Sequence, residues 1–183
     1  IGNLTVLIVL FFGKGHSKRL NKYLANLAVS DLFIGVLCAP FVYWNFMLGE
    51  WIFPPALCPA TQFILLSSVF VTSATLTVIG VERYVATFFA FSRAYFWFKV
   101  KSTKIITIIW LAGLAYAAIP LEHTYVDIQV ATSSNSGQCK YDNNLSVGKK
   151  QTFLLINFLL TFAVPSVILI FSYTAIIRKL IRI

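Results

Sequence analysis

Glu82-Arg83-Tyr84 stands at the end of a long apolar run, Phe63 to Val81. That run is long enough to cross a bilayer. An acid and an arginine at its end cost little only at the membrane surface or with their charges paired. On local chemistry alone the pair is a helix-end ion pair or a snorkelling arginine. Asp31 is the one acid in the middle of an apolar segment. It should face a bundle interior and find partners there. Two readings stay open for it: a protonated, hydrogen-bonded acid, or a monovalent-cation site or charge-sensitive switch. Ser68, Thr72 and Thr75 fall along one side of the run containing Phe63 and supply candidate partners. Asn26 and Ser30 are four residues apart and share a helical face. Interhelical hydrogen bonds of this kind contribute about 0.6–2 kcal/mol each.

Composition states what must position these groups. The 183 residues are 58% hydrophobic and 11% charged, with a mean hydropathy of +0.81. A soluble domain is about 45–50% apolar and about 25% charged. The apolar excess is spread over several runs, which reads as a polytopic, all-α membrane bundle. Five segments are expected, near residues 1–12, 23–48, 58–89, 105–121 and 153–177, in one domain covering 1–183. Barrel strands of about 9–11 alternating residues do not fit runs this long. The first segment, at about 18 Å, is too short for a hydrocarbon core of about 30 Å. Ile1 opens inside an apolar run without Met or a charged n-region, so no cleavable signal peptide is expected and the chain reads as a fragment.

Net charge is +9, but it does not point to nucleic acid. Twelve of the fifteen basic residues lie between segments one and two, between three and four, and after five. Lys140, Lys149 and Lys150 fall on the other side with Glu50, Glu122, Asp127 and Asp142. The positive-inside rule then makes the basic loops cytoplasmic and the N-terminus extracellular. The outer loop near 122–150 carries Asn144-Leu145-Ser146, a candidate glycosylation site. Cys58 and Cys139 both fall on the oxidising face. Three cysteines allow three pairings, and topology favours Cys58–Cys139 because Cys38 lies inside the second segment. Pro165 removes a backbone donor inside the fifth segment and should kink it or loosen a turn. Trp44, Trp51 and Tyr116 read as interface anchors. No metal-ligand spacing, phosphate loop or nucleophile elbow suggests an enzyme, and His16 and His123 read as surface residues.

Taken in order, these residues resemble the rhodopsin-like G-protein-coupled receptors. Gly2-Asn3 with Val6 resembles the first-helix signature, and Asn26-Leu27-Ala28-Val29-Ser30-Asp31-Leu32 the second-helix motif. Trp51 with Cys58, Glu82-Arg83-Tyr84, Trp110, Cys139, and Pro165 with Tyr173 resemble later landmarks in their proper order. The resemblance implies a plasma-membrane receptor that binds an extracellular ligand and activates a heterotrimeric G protein. It implies that Arg83 pairs with Glu82 at rest and meets the G protein when the inner face opens, with Tyr84 and Tyr173 in the same switch. Phe91 would lie in the G-protein surface, although Ala90 departs from the proline usual before it. Asp31, Ser68 and Thr72 would hold an allosteric sodium ion, with no other cofactor or metal. Asn26, Thr75 and Trp110 would tie helices two, three and four, with Asn3 and Pro165 in the structural network.

Thr61, Gln62, Leu65 and Leu66 are the ligand-pocket candidates. Leu65 stands where amine receptors place an aspartate, and Thr61 where visual opsins place a counter-ion acid, so both ligand classes are disfavoured. The stretch Met47-Leu48-Gly49-Glu50-Trp51 and the pair Cys58-Pro59 are similar to neuropeptide receptors of the neuropeptide Y and tachykinin type. The expected partners are therefore a peptide, a G protein and membrane lipid, with no nucleic acid. The family has seven helices and five are visible here. Alternatives are a truncated non-signalling receptor-like protein, a transporter or channel subunit, or an opsin.

Overall fold

Pro40 and Pro165 shape two of the three membrane-length apolar rods among the described residues. The computed structural model describes residues 1–12, 18–89, 93, 101–120, 124–131, 134–141 and 147–182. Among them, α1 covers Gly2–Phe12. The second rod begins as α2, Lys18–Leu32, widens to a π-helical Phe33–Cys38, and resumes as α3, Ala39–Leu48. Proline lacks an N–H and its ring crowds the carbonyl four residues back. The ladder therefore widens just before it, and Ala39 N–H bonds to Ile34 O, five residues back. Gly49, at φ 67°, ends the rod in the left-handed conformation that favours glycine.

The third rod is α4, Leu57–Phe88, and the fourth is α5, Ser102–Ala118. The fifth repeats the proline device. α6, Val147–Phe158, passes through a π-helical Leu159–Ala163 into α7, Val164–Ile181. Val164 N–H reaches back to Leu159 O, and Pro165 sits in the first turn of α7. The loosened turn expected at Pro165 is this π turn. The rods begin earlier than the apolar runs, at Lys18, Ser102 and Val147, because polar first turns extend beyond the hydrocarbon.

Three stretches, Leu20–Leu48, Leu57–Phe88 and Gly148–Ile181, are long and apolar enough to cross a membrane. α1 and α5 are shorter, at 11 and 17 residues. α4 is the central rod, packing against α2, α5 and α7. Tyr23, Val71, Ile105 and Ile109 form the buried core between α2, α4 and α5. Gly113 lets α5 approach: a Cβ there would meet Ser67 O at 3.3 Å and side-chain atoms of Phe70 and Val71 at 3.2 Å.

Among the described residues, one hairpin of two strands is not helical. β1, Thr124–Ala131, pairs antiparallel with β2, Ser134–Tyr141, placing Val126 opposite Cys139. The hairpin lies between the fourth and fifth rods and leaves the membrane bundle all-α. Trp51 and Tyr116, expected at the membrane interface, are buried. Trp51 packs in an aromatic cluster with Phe41 and Phe53, and Tyr116 donates to Asn157 Oδ1 at 2.9 Å. Trp44 is exposed.

Candidate functional site

Asn26 joins three helices. Its Nδ2 donates to Thr75 Oγ1 at 2.8 Å, and its Oδ1 accepts from Trp110 Nε1 at 2.7 Å. Thr75 Oγ1 in turn donates to Val71 O at 2.6 Å. Asn26 is 8% exposed, so water cannot replace these partners. The structure thus brings Asn26, Thr75 and Trp110 together on α2, α4 and α5. Asn3 lies half-buried on α1, and none of these bonds reaches it.

Asn26→Leu is expected to lower stability by about 2–3 kcal/mol. It removes two bonds and strands the Trp110 N–H in the core. Trp110→Phe should cost about 1 kcal/mol, and the double variant less than the sum of the two. Thermal unfolding in detergent checks this; additive losses would count against a shared network.

One turn outward is a second polar cluster. Thr72 Oγ1 donates to Asp31 Oδ1 at 3.4 Å and lies 2.9 Å from Ser30 Oγ. Ser30 Oγ also bonds Leu27 O at 2.9 Å. Ser68, four residues outward from Thr72 on α4, is fully buried and its Oγ has no hydrogen-bond partner among the described residues. A carboxylate with neighbouring hydroxyls is a hard-oxygen donor set that suits a small alkali cation. The orphaned Ser68 oxygen fits the same role.

The outer end is tied to the bundle at three points. The Cys58–Cys139 disulfide links the head of α4 to β2, with Cα atoms 5.7 Å apart. Cys139 N–H donates to Asn45 Oδ1 at 3.3 Å, and Trp51 N–H donates to Gly137 O. The hairpin is therefore held over the ends of α3 and α4. Thr61 is buried with its hydroxyl turned back on Leu57 O and Cys58 O, at 2.8 and 2.9 Å. Gln62, Leu65 and Leu66 are half-buried on the following turn. Asn144 lies outside the described residues.

At the inner end, α4 packs on α7 through one stripe. Ser73, Gly80, Tyr84 and Thr87 recur at helical spacing, Ser73 toward the π turn and the other three toward α7. Ser73 Oγ donates to Thr161 O at 2.7 Å. That carbonyl is the one Pro165 leaves without a helical donor, so the serine restores the lost bond. Neither Ser73 nor Pro40 stood out in the sequence; the signal was a hydroxyl able to face a proline-freed carbonyl on another helix. Tyr84 packs on Phe171 with ring centroids 5.8 Å apart, and Lys179 Nζ donates to Thr87 O. Glu82 is 4% exposed, while Arg83 and Tyr173 are exposed. Glu82 and Arg83 project about 100° apart around α4. Phe91 lies outside the described residues.

Residues 2–183 match the family described as 7 transmembrane receptor (rhodopsin family). The gastrin/cholecystokinin type B receptor of Canis lupus familiaris is 32% identical over 98% of this chain and 39% of its own length. Neuropeptide Y receptor type 2 of Gallus gallus is 31% identical over 98% of the chain and 47% of its own. The RYamide receptor of Tribolium castaneum is 29% identical over 96% of the chain and 50% of its own. The chain spans about 40–50% of the length of these relatives. With its membrane-length helices, buried polar ties and a family match over residues 2–183, it is a multi-pass membrane protein that belongs to the rhodopsin family of seven-transmembrane receptors.

Proposed function

We propose that this chain forms part of a plasma-membrane receptor for an extracellular peptide, with its N-terminus outside and its effector a heterotrimeric G protein. The observation that carries the ligand class is the agreement among relatives. Receptors named for gastrin/cholecystokinin, RYamide and neuropeptide Y all match over almost the whole chain. The braced outer hairpin supports it, since an extended peptide needs a fixed outer surface to lie against. The pocket candidates Gln62, Leu65 and Leu66 stand on α4 directly inside the disulfide. The G protein would engage the inner ends of α4 and α7, through Arg83, Tyr84, Phe91 and Tyr173. A glycan at Asn144 would lie on the same outer face as the ligand.

The test uses the full-length form in membranes with purified G protein. Peptides of the cholecystokinin, RYamide and neuropeptide Y types are applied and nucleotide exchange is measured. At least tenfold stimulation by one class supports the proposal. Exchange that stays at the basal rate with every peptide, while a non-peptide agonist raises it, refutes the ligand class.

The cluster at Asp31, Thr72 and Ser68 is proposed to hold a sodium ion that lowers agonist affinity. Asp31→Asn removes the one formal negative charge and should abolish the sodium effect on agonist Kd. An equal response to sodium in variant and parent would exclude the site.

A further inference from the structure

Two hydrogen bonds from different helices grip the fifth rod around its π turn. Within the turn, Thr161 O accepts from Ser73 Oγ on α4 at 2.7 Å. Just before it, Asn157 Oδ1 accepts from Tyr116 OH on α5 at 2.9 Å. Thr161 joins the two, because its own hydroxyl reaches back to Asn157 O at 2.7 Å. Tyr116 is held in turn by its ring. Its centroid lies 5.5 Å from that of Phe70 on α4 and 6.2 Å from that of Phe153 on α6. A run of bonds therefore crosses from α4 through the fifth rod to α5.

The π turn holds one residue more than an α-helical turn would. Val164 N–H reaches Leu159 O, five residues back. Relaxation to an α-helix would absorb that residue, turning α6 by about 100° and shifting it by about 1.5 Å. Asn157 would then leave Tyr116, and Phe153 would leave the Tyr116 ring. The Tyr116 bond thus opposes relaxation from one side. Ser73 opposes it from the other, since its hydroxyl satisfies the one carbonyl that Pro165 leaves without a helical donor.

What this fixes is the wall beside the pocket candidates. The pairs Ser73 with Thr161, Tyr84 with Phe171 and Thr87 with Lys179 advance together, so α4 and the fifth rod run the same way. Leu65 lies eight residues before Ser73, and Phe153 eight before Thr161. Both therefore stand about 12 Å from the Ser73 bond, at the same level of the bundle. We infer that Ser73 and Tyr116 are positioning residues of the proposed ligand site. Together they hold the π turn wide and set which side of α6 stands level with Leu65 and Leu66. The assignment rests on the ligand-site reading above only in calling that wall part of the site.

Pulsed electron resonance on the full-length form in nanodiscs tests this, with spin labels on Trp44→Cys and Leu155→Cys. Both positions are exposed, on α3 and α6. Cys38 is buried, and Cys58 and Cys139 are bonded to each other. Ser73→Ala with Tyr116→Phe should shift or split the label distance by about 5 Å, half a helix diameter. Tyr116→Phe keeps the ring and drops only the hydroxyl. Ser73→Thr keeps the donor and should retain the parent distance. Pro165→Ala supplies a second readout, because it returns an N–H that can serve Thr161 O. Ser73→Ala should lower the thermal midpoint by about 2–4 °C in the parent and by less than about 1 °C beside Pro165→Ala. A serine that merely packed would cost the same in both. An unchanged distance in the Ser73 and Tyr116 double variant overturns the inference. So does an equal cost of Ser73→Ala with and without Pro165. Neither readout needs a ligand, so failure of the peptide reading shows separately, as a parent that answers no peptide.

Discussion

Cys58→Ala and Cys139→Ala are each expected to lose about 4–5 kcal/mol of stability, and the double variant no more than either one. The bridged cysteines are 81 residues apart in sequence. In the loop-entropy description a crosslink of that span restricts the unfolded chain by roughly this amount. The two single variants should match because each removes the same bond. What stays behind is weak by comparison. The Cys139 N–H to Asn45 contact and the Trp51 N–H to Gly137 bond contribute about 1 kcal/mol each. Neither holds the hairpin against its own entropy. Ligand binding and surface expression should therefore fall together with stability. Thermal unfolding of single and double variants decides it, and losses that add would show that the cysteines act separately.

The bundle was legible in the sequence because lipid imposes few solutions. Runs such as Phe63–Val81 are too long for barrel strands and can satisfy their backbone only as helices. Polar residues inside those runs must also find one another. The tie of Asn26 to Thr75 and Trp110 came from the family resemblance, and the structure brings the three into contact. The pairing of Cys58 with Cys139 followed from which side of the membrane each cysteine occupies.

Other features have no one-dimensional signal. The hairpin strand Ser134–Tyr141 is polar and contains Gly137, so it lacks the alternating apolar pattern of a half-buried strand. Its pairing is fixed by the disulfide and by Trp51, contacts distant in sequence. Trp51 and Tyr116 have the composition of interface anchors and are buried because neighbours from other segments cover them. Pro165 announced a disturbed turn. It could not announce that Ser73, 92 residues earlier, would supply the missing donor.

Arg83→Ala in the full-length form is expected to abolish agonist-stimulated nucleotide exchange while agonist Kd stays within about threefold of the parent. The argument begins with where the side chain stands. Arg83 is exposed at the inner end of α4, whereas Glu82 beside it is 4% exposed and Tyr84 packs on Phe171. Of the three residues, the arginine is the one offered to a partner. Its removal leaves the packing between α4 and α7 in place. Thr87, one turn further on, still accepts from Lys179, and Tyr84 keeps its aromatic contacts with Phe88 and Phe171. Stability should therefore shift by less than about 0.5 kcal/mol, as for an exposed side chain outside a network. The proposed ligand-facing end near Gln62 lies 21 residues along α4, about 31 Å away, beyond direct influence. A large loss in exchange with little change in stability or agonist affinity is the signature of a contact made only with the effector. Arg83→Lys separates charge from geometry. A guanidinium presents a fixed fork of donors that an ammonium cannot copy, so lysine should restore less than about a tenth of the exchange rate. Full exchange in Arg83→Ala would remove Arg83 from the coupling surface. A parallel collapse of agonist affinity would instead make it a structural residue of the inner bundle.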